Sequence, residues 1–265
     1  MKRLFRTLLI VSLLLPAFPA GSAAADGGAR LIVGVTPFPH KDIMLIAGEL
    51  LAKEGITLEI REFSDYVQPN LALADKALDA NFFQHIPYLE NMVREKGLKL
   101  TWTAKVHIEP LGLYSKAIRN TAELRGGDSV AVPNDPTNEA RALRLLEKHG
   151  LIKVRAGELV TVRDITDNVK GLRFVELEAA QLPRLLQDVR AAVINTNFAA
   201  EAGLIPSRDA LIIEDKDSPY ANVTVVRSED TDKTEIKALT KAVNSPEVKA
   251  YIERELVPRG IVPAF

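Results

Sequence analysis

The chain of 265 residues is 47% hydrophobic and 26% charged, with a formal net charge of −1, an ordinary globular composition with room for one large unit or two small ones. It contains no cysteine, which excludes disulfides, thiolate catalysis and cysteine-held metals. The charge is too evenly balanced to suggest nucleic acid or an anionic membrane surface as a partner.

Residues 1–25 read as a secretory signal peptide. Lys2, Arg3 and Arg6 form a basic stretch, Leu8 to Leu15 an apolar one too short to span a bilayer, and Ala23-Ala24-Ala25 a small-residue cleavage site before Asp26. Without them the 34 basic residues fall by three to 31 against 35 acidic ones, a net charge of −4. The expectation is an exported, periplasmic, soluble protein, and the missing cysteine argues that it is not a lipoprotein.

Leu31 to Val35 reads as a buried strand, Lys41 to Lys53 as a helix ended by Gly55, and Thr57 to Ile60 as a second strand. A short helix over Pro69 to Ala77, a strand over Ala80 to Phe83 and a helix over Ile86 to Lys96 follow, then a strand from Leu98 to Val106 in which Leu98, Leu100, Trp102 and Ala104 alternate. Near Pro110 to Ser115 the pattern changes. A second series then runs through Ser129 to Val132, a helix begun by Pro136, a strand at Arg173 to Leu177, a helix near Ala180, a strand at Ala191 to Ile194, a helix at Phe198 to Ala202 and a strand at Leu211 to Ile213. The loop Asp215 to Asn222 leads into the strand Val223 to Val226 and two terminal helices, Lys233 to Val243 and Pro246 to Arg254. Alternating strands and helices predict an α/β protein whose mostly parallel sheets are flanked by helices.

The stretch Val132 to Arg141 concentrates several signals. Asp135 can cap the following helix, Pro136 suits its first position, and Gly150 closes it. Free N–H groups at the helix start and the fork of Arg141 would seat a small anion; on local grounds alone a well-capped surface helix with a solvated Arg is the simpler reading of the same residues. In open α/β sheets ligands bind beyond the carboxyl ends of strands. There the chain carries Phe63 to Tyr66, Asn81 to Tyr88, Asn195 to Asn197 and Tyr220 to Asn222, aromatic and amide residues that could equally be core.

Taken together, Asp65-Tyr66-Val67 with Pro69-Asn70, Asp79 to His85 with Pro87-Tyr88, Val132 to Asn138 with Arg141, Glu176 to Pro183, Ala192 to Asn195, and Glu214 to Tyr220 resemble the methionine-binding proteins of bacterial ABC importers, the NlpA/MetQ type. The resemblance runs from about residue 30 to the C-terminus. It implies a two-lobed periplasmic binding protein of type II, with residues 29–113 and 221–265 as one lobe, 114–220 as the other, and a ligand cleft between them. It implies that Arg141 holds the α-carboxylate of a methionine, that Asn195 and Asn222 hydrogen-bond its backbone, and that Tyr66, Phe83, His85 and Tyr88 wall the thioether side chain. An ABC permease with its ATPase would be the partner, the protein itself a monomer. D-methionine, a methionine-containing dipeptide or another apolar amino acid are the neighbouring ligands. His40, in a loop that can differ between relatives, is left out of this site.

An exported hydrolase is the distant alternative. His40, His85, His107 and His149 are scattered along the chain without metal spacing, and no nucleophile elbow, phosphate loop or dinucleotide fingerprint occurs. His85 with Asp79 or Ser64 could be drawn as an acid–base pair, but a packed histidine explains it more simply. No catalysis, cofactor or metal is expected.

Overall fold

The computed structural model describes residues 28–215 and 218–265. The signal-peptide reading lies outside the described residues, as do Lys216 and Asp217 of the expected loop. The chain first lays down β1 (Ala29–Val35), α1 (Asp42–Lys53), β2 (Ile56–Glu62), α2 (Gln68–Ala74), β3 (Ala80–His85), α3 (Ile86–Lys96) and β4 (Leu100–Ile108). It crosses at residues 109–111 to β5 (Gly112–Tyr114), β6 (Ser129–Pro133), α4 (Pro136–Lys148), a small pair β7 (Lys153–Val154) and β8 (Ile165–Asp167), then β9 (Arg173–Leu177), α5 (Leu182–Leu185), β10 (Ala191–Ile194), α6 (Thr196–Glu201), α7 (Pro206–Asp209) and β11 (Ile212–Ile213). It returns for β12 (Ala221–Arg227), α8 (Thr234–Val243), α9 (Pro246–Tyr251) and β13 (Val262–Pro263).

Two large sheets result. The first has the order β13-β4-β12-β3-β1-β2, the second β11-β5-β10-β6-β9. The βαβ series pair in parallel as expected: β1 with β2 and β3, β6 with β9 and β10. The returning strand β12 lies antiparallel between β3 and β4, and β5 antiparallel to β10 and β11. Each sheet is therefore mixed, because the strands that carry the chain between sheets run back along their neighbours. Both faces of each sheet are covered. In the first, Val33, Met44, Phe82 and Leu239 pack on one side and Leu73, Leu78, Leu89 and Val225 on the other. In the second, Val132, Leu143 and Leu146 pack on one side, and Ala131, Leu182 and Phe198 on the other. Burial on both faces is why these strands read as continuous apolar runs.

Local signals place α4 as the sequence predicts. Asp135 is extended and its carboxylate accepts from the Asn138 N–H at 2.9 Å. Gly150 adopts φ +70°, and its N–H and that of Leu151 bond back to Glu147 and Leu146, the left-handed helix end that glycine enters without strain. The strand β4 departs from simple alternation. Two of its residues oppose one of β12 at Thr103, and again at Val106. Each bulge reverses which side chains face which way: Leu100 joins one core face, Ala104 and Val106 the opposite one. Trp102, expected to point inward with them, is left 40% exposed.

Candidate ligand-binding site

The ends of β3, β6 and β10, the start of β12 and the crossing at 109–111 converge on one narrow cavity. Tyr66, Phe83, His85, Tyr88, Arg141, Asn195 and Asn222 all lie on its wall. Gln84, Asn138, Thr196 and Asn197, which lie within the stretches singled out above without a role of their own, also line it, as does Glu109, which falls outside all of them.

The first sheet contributes the rings. Phe83 sits where β3 carries an extra residue against β12. Tyr66 lies 5.9 Å, centroid to centroid, from both Phe83 and Tyr88, and Phe83 lies 6.1 Å from Tyr88, edge and tilted packings that aromatic pairs favour. The Tyr88 hydroxyl donates to the Tyr66 carbonyl at 2.9 Å, which ties the loop before α2 to α3. His85 is the N-cap of α3. Its Nδ1 accepts from the Tyr88 N–H at 3.1 Å, so Nε2 carries the proton and donates to Asn138 Oδ1 at 3.2 Å. Burial, reinforced by Arg141, holds this imidazole neutral by lowering its pKa to about 3.

The second sheet contributes charge and amides, with one change from expectation. The start of α4 is not an open anion seat: the Asp135 carboxylate occupies it, accepting from the Asn138 backbone and side chain and from the Thr137 hydroxyl. Arg141, 3% exposed, is not a bare fork either. Its Nε and Nη2 donate to Glu214 at 3.1 and 2.5 Å, Nη2 donates again to the Glu109 carbonyl at 2.7 Å, and the guanidinium stacks 4.1 Å from the Tyr220 ring centre. Nη1 has no hydrogen-bond partner among the described residues. Asn138 Oδ1 also accepts from Asn195 Nδ2 at 2.8 Å, and the Tyr66 hydroxyl reaches across to Asn197 Oδ1 at 2.5 Å. Among the described residues this network leaves two buried polar atoms on the cavity wall without a partner: Asn195 Oδ1, an acceptor, and Asn197 Nδ2, a donor. Buried polar groups are rarely left so.

Histidines scattered in the sequence are not scattered in space. His40 and His107 lie 5.0 Å apart, ring centre to ring centre, behind the cavity wall. His107 Nε2 is 2.7 Å from Glu109 Oε1, and His40 Nε2 is 3.4 Å from the same oxygen and 3.1 Å from Asn222 Oδ1. The ligating atoms of His40, His107 and Glu109 fall within 4.8 Å of one another, a donor set that could hold a metal ion; here they are spent on each other. Burial lowers His40 to about 4 and His107 to about 3, and pushes the Glu109 carboxyl above its usual range.

The family description NlpA lipoprotein matches residues 31–265. The chain belongs to the NlpA lipoprotein family. Among its relatives, the D-methionine-binding lipoprotein MetQ of Escherichia coli K12 is 46% identical over 221 residues, 82% of each chain. A solved structure of a nutrient binding protein from Burkholderia cenocepacia bound to methionine shares 45% identity with a TM-score of 0.86, covering 89% of this chain and 100% of that one. An ABC-transporter periplasmic substrate-binding protein from Coxiella burnetii shares 46% identity with a TM-score of 0.84, covering 88% and 100%. The α/β fold with two helix-flanked sheets is thus that of the substrate-binding proteins in this family.

Membership corrects one expectation. The chain was expected not to be a lipoprotein because it has no cysteine. The family is named for lipoproteins, and its E. coli relative is one. That expectation rested on the absence of cysteine from this sequence, and it yields to a family match over residues 31–265 and to relatives named as lipoproteins.

Proposed function

We infer that this chain is the substrate-binding component of an ABC importer and that it takes up methionine in the cavity between its two sheets. The observation that carries the reading is the wall itself: a permanent cation, an unpartnered amide acceptor and an unpartnered amide donor face a cluster of rings. An α-amino acid needs the polar groups for its ends, and a thioether packs well on aromatic edges. On this reading Nη1 of Arg141 holds the carboxylate, Asn195 and Asn222 the backbone, and Tyr66, Phe83, His85 and Tyr88 the side chain. Residues 29–113 with 221–265, and 114–220, act as lobes that close over the ligand, and the closed monomer docks on a membrane permease with its ATPase. The role needs no covalent step, cofactor or metal. A second reading, D-methionine as the ligand, is favoured by the name of the E. coli relative.

Calorimetric titration of protein unfolded and refolded free of ligand tests both readings. L-methionine is expected to bind one to one. Heat with D-methionine or Gly-Met, and none with the L-form, would move the specificity and leave the transport role. No heat with any of the three would remove the methionine assignment.

A further inference from the structure

Glu109 is the unusual group in the cavity. It lies at the crossing between the two sheets, is 6% exposed and lines the cavity. Its side chain has no arginine or lysine partner among the described residues: Arg141 reaches its carbonyl, and spends its charge on Glu214. What surrounds the carboxylate is a set of neutral N–H donors. His107 Nε2 donates to Oε1 at 2.7 Å and the Asn197 backbone N–H to Oε2 at 3.1 Å, with His40 Nε2 3.4 Å from Oε1. Burial keeps both imidazoles neutral by lowering His40 to about 4 and His107 to about 3, so they serve as N–H donors and not as cations. Two carboxylate oxygens offer about four acceptor positions, so capacity remains on the cavity side. A carboxylate buried without a cation is costly, and a cation placed beside it removes that cost.

We propose that Glu109 is the charge partner of the ligand's α-ammonium group, held in position from behind by His107 and His40, so that the cavity selects a free amine as well as a carboxylate. The proposal rests on the amino-acid reading above and deepens it. The amide oxygen of Asn195, unpartnered on the same wall, supplies a second acceptor for the same ammonium. At the other end the Nη1 edge of Arg141, which Glu214 leaves free, meets the carboxylate, so the cavity offers one directed group to each end of a zwitterion.

The test is a two-by-two cycle. Wild type and Glu109→Gln are each titrated with L-methionine and with its deaminated analogue, in which hydrogen replaces the α-amino group. The readout is the ratio of the two affinities. In wild type L-methionine is expected to bind about 100-fold more tightly than the analogue, and the Gln variant is expected to lose most of that ratio by losing L-methionine alone. Equal loss of both ligands in Glu109→Gln would make the residue merely structural and overturn the proposal, as would an unchanged ratio. Should the Gln variant not fold, Glu109→Asp, which keeps the charge but withdraws it from the cavity, is expected to give an intermediate ratio; a wild-type ratio there overturns the proposal equally. Wild type that binds neither ligand removes the amino-acid reading and this inference with it, which separates that failure from one confined to Glu109.

Discussion

The two halves of the cavity are built by different means. The first sheet, with β3, α3 and the loop before α2, presents rings that are already packed on one another and fixed by the Tyr88 hydroxyl. The second, with α4, β10 and α6, presents a guanidinium and amides bonded into a network that still leaves an acceptor and a donor unsatisfied. Their shifted titratable groups differ in kind too: burial lowers His40, His85 and His107 in the first unit and raises Asp135 and Glu139 in the second, with Glu109 raised at the crossing between them. Shape is thus settled on one side before a ligand arrives, whereas polar demand is stored on the other. A side chain can be sorted by the rings alone, and the charged ends complete the second half.

If that division holds, the largest effect falls on the second half. Arg141→Ala is expected to cost about 2–5 kcal/mol of methionine affinity, because a carboxylate enters a dry site without its cation. The rings remain in place, so an uncharged thioether should bind the variant and wild type alike. Calorimetry with both ligands checks this, and parallel losses would show the halves to be one cooperative unit.

Acid should separate the units. Burial holds His40, His85 and His107 near 4, 3 and 3, against an ordinary 6.5. Below about pH 6.5 the unfolded chain therefore binds more protons than the folded one. The stability these residues contribute, complete above that pH, drains away as the pH falls towards their folded values, by up to about 1.4 kcal/mol per pH unit for each. In the second unit the sign is opposite. Burial raises Glu139 to about 7 and moves Asp135 up as well, so there the folded form holds the extra proton and gains stability as the pH falls from 7. Hydrogen exchange followed by segment from about pH 7 to about pH 5 is expected to show protection falling over β1–β4 and holding or rising over β6 and α4. A uniform fall would contradict the division.

The smallest effect belongs to the bond that joins the halves. Tyr66→Phe removes the hydroxyl that donates to Asn197 across the cavity. The expected cost is about 1 kcal/mol, or about 5-fold in affinity, appearing as faster ligand release with an unchanged association rate. Stopped-flow fluorescence distinguishes the two rates, and an altered association rate would place Tyr66 in capture instead of retention.

Features fixed within a few residues were legible in the sequence. The Asp135-Pro136 start and Gly150 end of α4 depend on local chemistry and stand as read. So does the gathering of aromatic residues at strand ends, since topology brings those ends together. What failed was parity and pairing. Bulges at Phe83, Thr103 and Val106 depend on how β12 aligns with its neighbours, and an alternating pattern cannot register an inserted residue, so Ala104 was placed on the face of Leu98 and Leu100. Asn138 had a readable signal: it lies one helical turn before Arg141 and so shares its face. Glu109 had none, because its partners His40, His107 and Asn197 are remote in sequence. Nor could any local rule show that Glu214 claims most of the Arg141 fork.

That last pairing bears on what the site ignores. A lone guanidinium at the bottom of a cleft would attract whatever small anion is most abundant in a salty medium, and chloride or phosphate would then compete with every ligand. With Glu214 on two of its nitrogens, Arg141 presents one directed N–H edge and little net field. A free inorganic ion finds no deep electrostatic well there. A carboxylate delivered by a molecule that also fills the ring side keeps its advantage, so its binding is expected to depend little on the ionic strength around it.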